Sequence, residues 1–177
     1  LTATTTVKTD NPIYNNLVKY IKDGVSKNVV EFNFQGKRIR GYTSCDTSEY
    51  IWLRDQTYNS FAFIYWEPDM KSLLEPFFDL QSEEGLFYDY ISSATIRYGH
   101  CTSETDLEYI IVLAVYLAWQ ATGDDEWMAS KLEKLEKGLE YSMTPHSPRW
   151  LKHNNEVILH HHYDRWDIKY KLIKRAH

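Results

Sequence analysis

The first residues whose types suggest chemistry are an arginine and an aspartate that stand side by side in an almost uncharged segment. Between Ile51 and Trp66, Arg54 and Asp55 are the only charged side chains. We predict a helix here that is apolar or aromatic on most faces, and a fold buries such a helix. Because a buried charge is costly unless it is paired or used, this step is either a structural ion pair or part of a polar pocket.

A second cluster brings three carboxylates, Glu104, Asp106 and Glu108, close together in the sequence. With about 3.6 residues per helical turn, Glu104 and Glu108 share one face. Ser103 and Asp106 match a capping box, and the helix dipole favours acids in a first turn, which explains part of the pattern. Glu108 precedes a long apolar run, so substrate binding or catalysis is the other interpretation for at least one of the three acids.

The helices that would position these residues alternate between two kinds. The predicted helices over residues 48–66 and 103–122 are apolar on most faces, whereas those over 69–81 and from Asp124 onward are amphipathic. A buried helix followed by an amphipathic one, twice over, predicts stacked helical hairpins with an inner and an outer ring. The inner helices would then converge with their N-termini at one end, where polar and anionic groups are favoured.

The fold class that follows is all-α, with one short β-hairpin near residues 29–42. That segment is rich in β-branched and aromatic residues and is interrupted by Gln35-Gly36. Residues 82–103 and 144–160 are predicted to be loops.

The pattern divides the chain at residue 47. Residues 1–47 form an N-terminal segment that holds a helix opened by Asn11-Pro12 and the hairpin, and residues 48–177 form the helical part. The first helix carries an apolar stripe of Ile13, Leu17, Ile21 and Val25.

Composition excludes several classes of function. A net charge of -5 with scattered lysines argues against nucleic-acid binding. The longest apolar run, Ile110 to Trp119, is about half of the ~20 residues that a membrane span needs. We find no Gly-rich phosphate loop, and the adjacent histidines His160 to His162 point in different directions, so we expect no cofactor and no metal. We expect a soluble protein, cytoplasmic or secreted, and processed or trimmed since it begins at Leu1.

Three segments in this order resemble the six-hairpin glycosidase superfamily. They are Tyr50-Ile51-Trp52-Leu53-Arg54-Asp55, then Glu104 to Tyr109 followed by Val115 to Asp124, and then Arg165-Trp166-Asp167. The resemblance covers residues 48 to 170. It implies an (α/α)6 barrel, of which this chain would form an incomplete toroid, and relatives that include inverting, exo-acting enzymes similar to glucoamylases and trehalases.

The resemblance also assigns roles to residues. Arg54 and Asp55 would hydrogen-bond sugar hydroxyls with Trp52 as a wall, since a guanidinium is a rigid fork of donors and a carboxylate accepts two hydroxyls. Asp167 would be the general acid, which requires a carboxyl desolvated by aromatic neighbours. Arg165 departs from the superfamily pattern, which often has Gly or Thr before the Trp, and a cation there would lower the pKa of that acid. Of the remaining candidates, Glu108 is assigned to catalysis, and Glu104, Asp106 and Trp166 to substrate binding.

We therefore expect the first part of a glycoside hydrolase that acts on oligosaccharides by general acid/base catalysis. Inversion needs two carboxyl groups roughly 6.5 to 9.5 Å apart. The resemblance places the base in later hairpins, which this chain lacks, and the rest of the barrel or an oligomeric partner would cover its exposed core. Two alternatives remain open: a non-catalytic α-hairpin module that binds a glycan or a protein, and a carbohydrate isomerase or epimerase with histidines in its cleft.

Overall fold

The computed structural model describes residues 6–95, 98–99, 106–143, 150–153 and 156–159, the last two ranges for the backbone alone. The helices are α1 (Pro12–Asn15), α2 (Leu17–Ser26), α3 (Leu53–Phe63), α4 (Leu74–Leu80), α5 (Leu107–Thr122) and α6 (Asp125–Met143). The strands are β1 (Val29–Phe34), β2 (Lys37–Tyr42), β3 (Tyr50–Trp52), β4 (Tyr90–Ser92), β5 (Tyr98–Gly99), β6 (Trp150–His153) and β7 (Glu156–Leu159).

The expectation of an all-α fold, an incomplete (α/α)6 toroid, is wrong, because the described residues form a mixed α/β structure. The strands β3, β4 and β5 form an antiparallel sheet in that order, and β6 pairs with β7. The strands β4 to β7 replace parts of the predicted loops over 82–103 and 144–160. The helix predicted over 48–66 begins only at Leu53, since the residues before it are extended.

Pairing with β4 explains why residues 50–52 are extended. Ile51 lies opposite Ile91, and both side chains are fully buried. Trp52 lies opposite Tyr90 on the other face of the sheet. A strand of this length shows too little alternation to be recognised in the sequence, and its partner lies about 40 residues away, so the pattern of the following helix dominated the prediction.

The predicted β-hairpin is confirmed as β1 and β2, which pair from Val29 with Tyr42 to Phe34 with Lys37. The connecting residues Gln35 and Gly36 both have positive φ, 47° and 81°. A two-residue turn with two positive φ angles matches the right-handed twist of paired strands. The hairpin buries Phe34 and Ile39, which join the same core cluster as Ile51.

The predicted N-terminal helix is confirmed but broken into α1 and α2, and the Asn11 side chain accepts a hydrogen bond of 2.9 Å from the Ile13 amide. Its apolar stripe is largely uncovered by the described residues. Ile13, Leu17 and Ile21 are exposed, whereas Val25 packs against the core.

The helices after the hairpin pack in an order that places α5 between α3 and α6. α4 lies along α6: Glu75 accepts a hydrogen bond from the Trp127 indole at 2.7 Å, and Lys134 Nζ donates to the Phe78 carbonyl at 2.7 Å. The later residue of α4 contacts the later residue of α6, so the two helices run in the same direction.

The end of α5 and the start of α6 lie where the sequence predicts them. Gly123 ends α5 with φ 64° and donates to the Trp119 carbonyl at 2.7 Å. Asp124 caps α6, since its carboxylate accepts from the Trp127 amide at 2.9 Å. That carboxylate also binds Lys71 Nζ at 2.6 Å, and these bonds lower the pKa of Asp124.

Two details of the helices concern Pro76 and the exposure of α5. Pro76 lies in the first turn of α4, where a missing N–H costs no hydrogen bond. The helix predicted to be apolar on most faces, α5, has a solvent face, because Tyr116 is 47% exposed while Val115 is buried.

Two helical glycines are predicted to respond in opposite ways to replacement by alanine, because only one of them lies close to another segment. A Cβ on Gly138 would lie 2.6 Å from Cε2 of the fully buried Phe87, whereas a Cβ on Gly24 would meet nothing within 4 Å. We expect Gly138→Ala to lower the free energy of unfolding by about 1–3 kcal/mol through overpacking. Gly24→Ala should raise it by about 0.5–1 kcal/mol through helix propensity. Urea denaturation measures both, and a stabilised Gly138→Ala would contradict the packing described here.

Candidate functional site

The start of α3 is fixed by a backbone contact from the central sheet. The Leu53 amide donates to the Asp89 carbonyl at 2.8 Å, just before β4 begins. Trp52 occupies the N-cap position and supplies no side-chain cap, so this backbone bond satisfies one of the amides that a helix start leaves without a partner. Because α3 begins directly after β3, Arg54 lies in the first turn of α3.

The guanidinium of Arg54 binds the carboxylate of Asp106 through two parallel contacts. Arg54 Nη1 donates to Asp106 Oδ2 at 3.0 Å and Nη2 donates to Oδ1 at 2.5 Å. Each side chain is only 16% exposed. A two-pronged contact of this kind is geometrically specific, and limited solvent screening strengthens it.

Asp106 has a different role in the helix from the predicted one. It occupies the N-cap position of α5, rather than the third helical position of a capping box, and its side chain makes no cap bond. The carboxylate turns to Arg54 instead. The ion pair therefore joins the starts of α3 and α5, the two helices that the sequence pattern expected to converge.

Glu108 lies in the first turn of α5 and is completely buried, with 0% exposure. Its Oε1 accepts a hydrogen bond of 3.3 Å from the Phe87 amide. A buried carboxylate needs such bonds because desolvation is costly. In this position Glu108 ties α5 to the segment that leads into β4.

Three aromatic side chains cluster on the sheet face next to this helix start. The ring centroids of Trp52 and Tyr90 are 4.9 Å apart, and those of Tyr50 and Tyr90 are 5.2 Å apart in an edge arrangement. Tyr50 is exposed and Trp52 is half-buried. The cluster offers flat apolar surface beside a charged pair, which suits ligands with one apolar and one polar side.

Asp55 does not accompany Arg54. Its Oδ2 accepts a hydrogen bond of 2.8 Å from Ser44 Oγ, in the segment after β2. Successive residues of a helix point about 100° apart, so neighbours in sequence serve different surfaces. The structure brings Trp52, Arg54, Asp106 and Glu108 to one end of α3 and α5, and it places Asp55 on another flank of α3.

The other predicted site residues, Glu104, Trp166 and Asp167, lie outside the described residues, as do His160 to His162. Their roles stay predictions. Among the residues that the structure does describe, no group of three His, Cys, Asp or Glu side chains is arranged to hold a metal ion. No helix in this described part is long and apolar enough to cross a membrane.

Sequence reasoning missed a polar cluster between β2 and the segment after α3. Glu67 is buried; it accepts from Arg40 Nε at 2.9 Å and from the Tyr42 hydroxyl. Burial, and then the hydrogen bond to Glu67, raises the pKa of Tyr42, while the Glu67 bond raises that of Arg40. Strand alternation could have put Arg40 and Tyr42 on one face, but nothing in the sequence signals Glu67. The cluster anchors the hairpin to the helices.

No protein-family model, no curated protein sequence and no solved structure matches this chain. The resemblance to the six-hairpin glycosidases therefore stays a prediction from the motifs.

The hydrogen bond between Glu108 and Phe87 makes a prediction about stability. Glu108→Gln keeps an acceptor oxygen, whereas Glu108→Met has nearly the same shape and leaves the buried Phe87 amide without this acceptor. We expect the methionine variant to be less stable than the glutamine variant by about 1–3 kcal/mol, measured by urea denaturation. Equal stabilities would show that the amide does not depend on Glu108.

Proposed function

We propose that this chain is the N-terminal portion of a glycoside hydrolase that binds an oligosaccharide at the starts of α3 and α5. The observation that carries the proposal is the paired contact of Arg54 with Asp106 beside the aromatic cluster of Tyr50, Trp52 and Tyr90. Together they bring a charged, oriented pair and a partly exposed aromatic surface to the start of α3, and a sugar ring presents hydroxyls at its rim and C–H groups on its faces.

In this proposal, the described residues bind the sugar and do not catalyse the cleavage of its glycosidic bond. Asp106 fixes the plane of the Arg54 guanidinium, so its donors are oriented before a ligand arrives, which lowers the entropy cost of binding. Trp52 would pack against the apolar face of a sugar. The proposed general acid remains Asp167, with Trp166 beside it and Glu104 as a further ligand of the sugar hydroxyls.

A specific observation favours the second candidate, a non-catalytic module that binds glycans or proteins. Glu108 is completely buried and bonded to the Phe87 amide, and Asp106 is bonded to Arg54. Both acids thus have structural roles, whereas a general acid or base must reach its substrate. If the chain is nevertheless a hydrolase, the same observation assigns proton transfer to Asp167 and not to Glu108.

Binding and hydrolysis assays on one set of variants separate the two candidates. Oligosaccharide binding is measured by calorimetry, and hydrolysis is measured with aryl glycosides and disaccharides. For the hydrolase, Trp52→Ala should weaken binding about tenfold, which is about 1.4 kcal/mol, and Asp167→Asn should abolish hydrolysis with binding retained. Tyr116→Ala is the matched control, because it removes an exposed aromatic from α5 outside the cluster.

The outcomes decide between the proposals. Binding that depends on Trp52 without any hydrolysis supports the non-catalytic module. Hydrolysis that survives Asp167→Asn removes the assigned acid. If no glycan binds, or if Tyr116→Ala weakens binding as much as Trp52→Ala, the aromatic cluster is not the binding surface.

A further inference from the structure

We propose that a crevice on the other flank of α3 is a second binding site, which takes a neutral polyhydroxylated ligand such as a saccharide or a polyol. The crevice has a volume of about 300 Å³, at the lower end of the range for small-molecule sites. The polar side chains that line it are those of Asn28, Thr43, Ser44, Asp55, Tyr58 and Asn59. This site is separate from the Arg54–Asp106 pair and does not rest on the proposed function.

Two chain segments and one helix face hold the crevice in shape. Asn28 follows α2 and is tied to the end of the hairpin, because the Thr43 amide donates to its carbonyl at 2.9 Å. Thr43 Oγ1 also donates to the Cys45 carbonyl at 2.8 Å, which fixes the segment that carries Ser44. The opposite wall is α3, whose residues 55, 58 and 59 share one face by their spacing. The backbone walls of the crevice are therefore set before any ligand arrives.

The polar groups of the crevice match a ligand that both donates and accepts hydrogen bonds. Asp55 is oriented by Ser44 at 2.8 Å, and a carboxylate has further acceptor positions for hydroxyls. The side-chain amides of Asn28 and Asn59 make no hydrogen bond to other described residues. Each amide supplies two N–H donors and one carbonyl acceptor. Tyr58, 53% exposed, adds a ring face and a hydroxyl.

Charge and donor balance favour a neutral polyhydroxylated ligand over an anion or an ammonium group. Asp55 is the only charged side chain that lines the crevice within the described residues, so an anion such as phosphate meets repulsion and no cation. An ammonium group would satisfy Asp55 and the amide carbonyls but has no acceptor for the amide N–H groups of Asn28 and Asn59. Hydroxyls serve the carboxylate and the amides alike, and a pyranose or polyol also presents C–H groups to the Tyr58 ring.

The test follows the side-chain amide signals of asparagine in ¹⁵N–¹H spectra of the 177-residue chain during titration with maltose, glycerol and choline. Maltose or glycerol should shift the Asn28 and Asn59 signals. Asn59→Ala should weaken that binding at least tenfold, read at Asn28, and Asn33→Ala, an exposed asparagine on β1, should leave it unchanged. Trp52→Ala should also leave these shifts unchanged, which separates the crevice from the proposed glycan site.

Three results would overturn the proposal. The first is the absence of shifts at Asn28 and Asn59 with either polyhydroxylated probe. The second is a response to choline alone, which would indicate an ammonium site. The third is loss of the shifts in Trp52→Ala, which would mean that the spectra report the aromatic cluster and not a separate crevice.

Discussion

The ion pair between Arg54 and Asp106 is the constraint on which the arrangement of this structure depends. It joins residues that lie far apart in the chain and closes the gap between the first turn of α3 and the N-cap of α5. With both side chains mostly buried, neither charge can be left alone without a large desolvation cost. The segment between the two helices must therefore fold so that both starts meet, and within it β4 pairs with β3 and β5 pairs with β4.

This constraint also explains the position of the aromatic cluster and of Glu108. Pairing of β3 with β4 buries Ile51 against Ile91 and turns Trp52 and Tyr90 to the opposite face. The same path brings the Phe87 amide to Glu108. One short sheet thus builds both the proposed binding surface and the structural contacts, which is why the charged groups nearest to the cluster have structural as well as functional interpretations.

The sequence predicted features that depend on local chemistry. The hairpin, the end of α5 at Thr122 and the start of α6 next to Asp124 follow from turn and cap residues and are confirmed. It also indicated that Arg54 needs a partner or a use. The partner could not be read from the sequence, because a contact across about fifty residues leaves no periodic signal. The strands β3 to β5 were missed for the same reason.

Treating Arg54 and Asp55 as one unit overlooked the geometry of the helix. Neighbouring residues point about 100° apart, so one side chain meets Asp106 and the other meets Ser44. The helix α3 therefore contributes residues to two surfaces, the one next to the aromatic cluster and the crevice. This division replaces the single predicted sugar site with two proposed sites of different chemistry, one with an ion pair and one with amides and a single carboxylate.

A double-mutant cycle tests the central role of the ion pair most directly. The free energy of unfolding is measured for the wild type, Arg54→Ala, Asp106→Ala and the double variant. If the pair holds the two helix starts together, each single variant is destabilised and the coupling energy is about 1–3 kcal/mol, because the second substitution removes a charge already deprived of its partner. Additive effects, with a coupling energy near zero, would contradict the account.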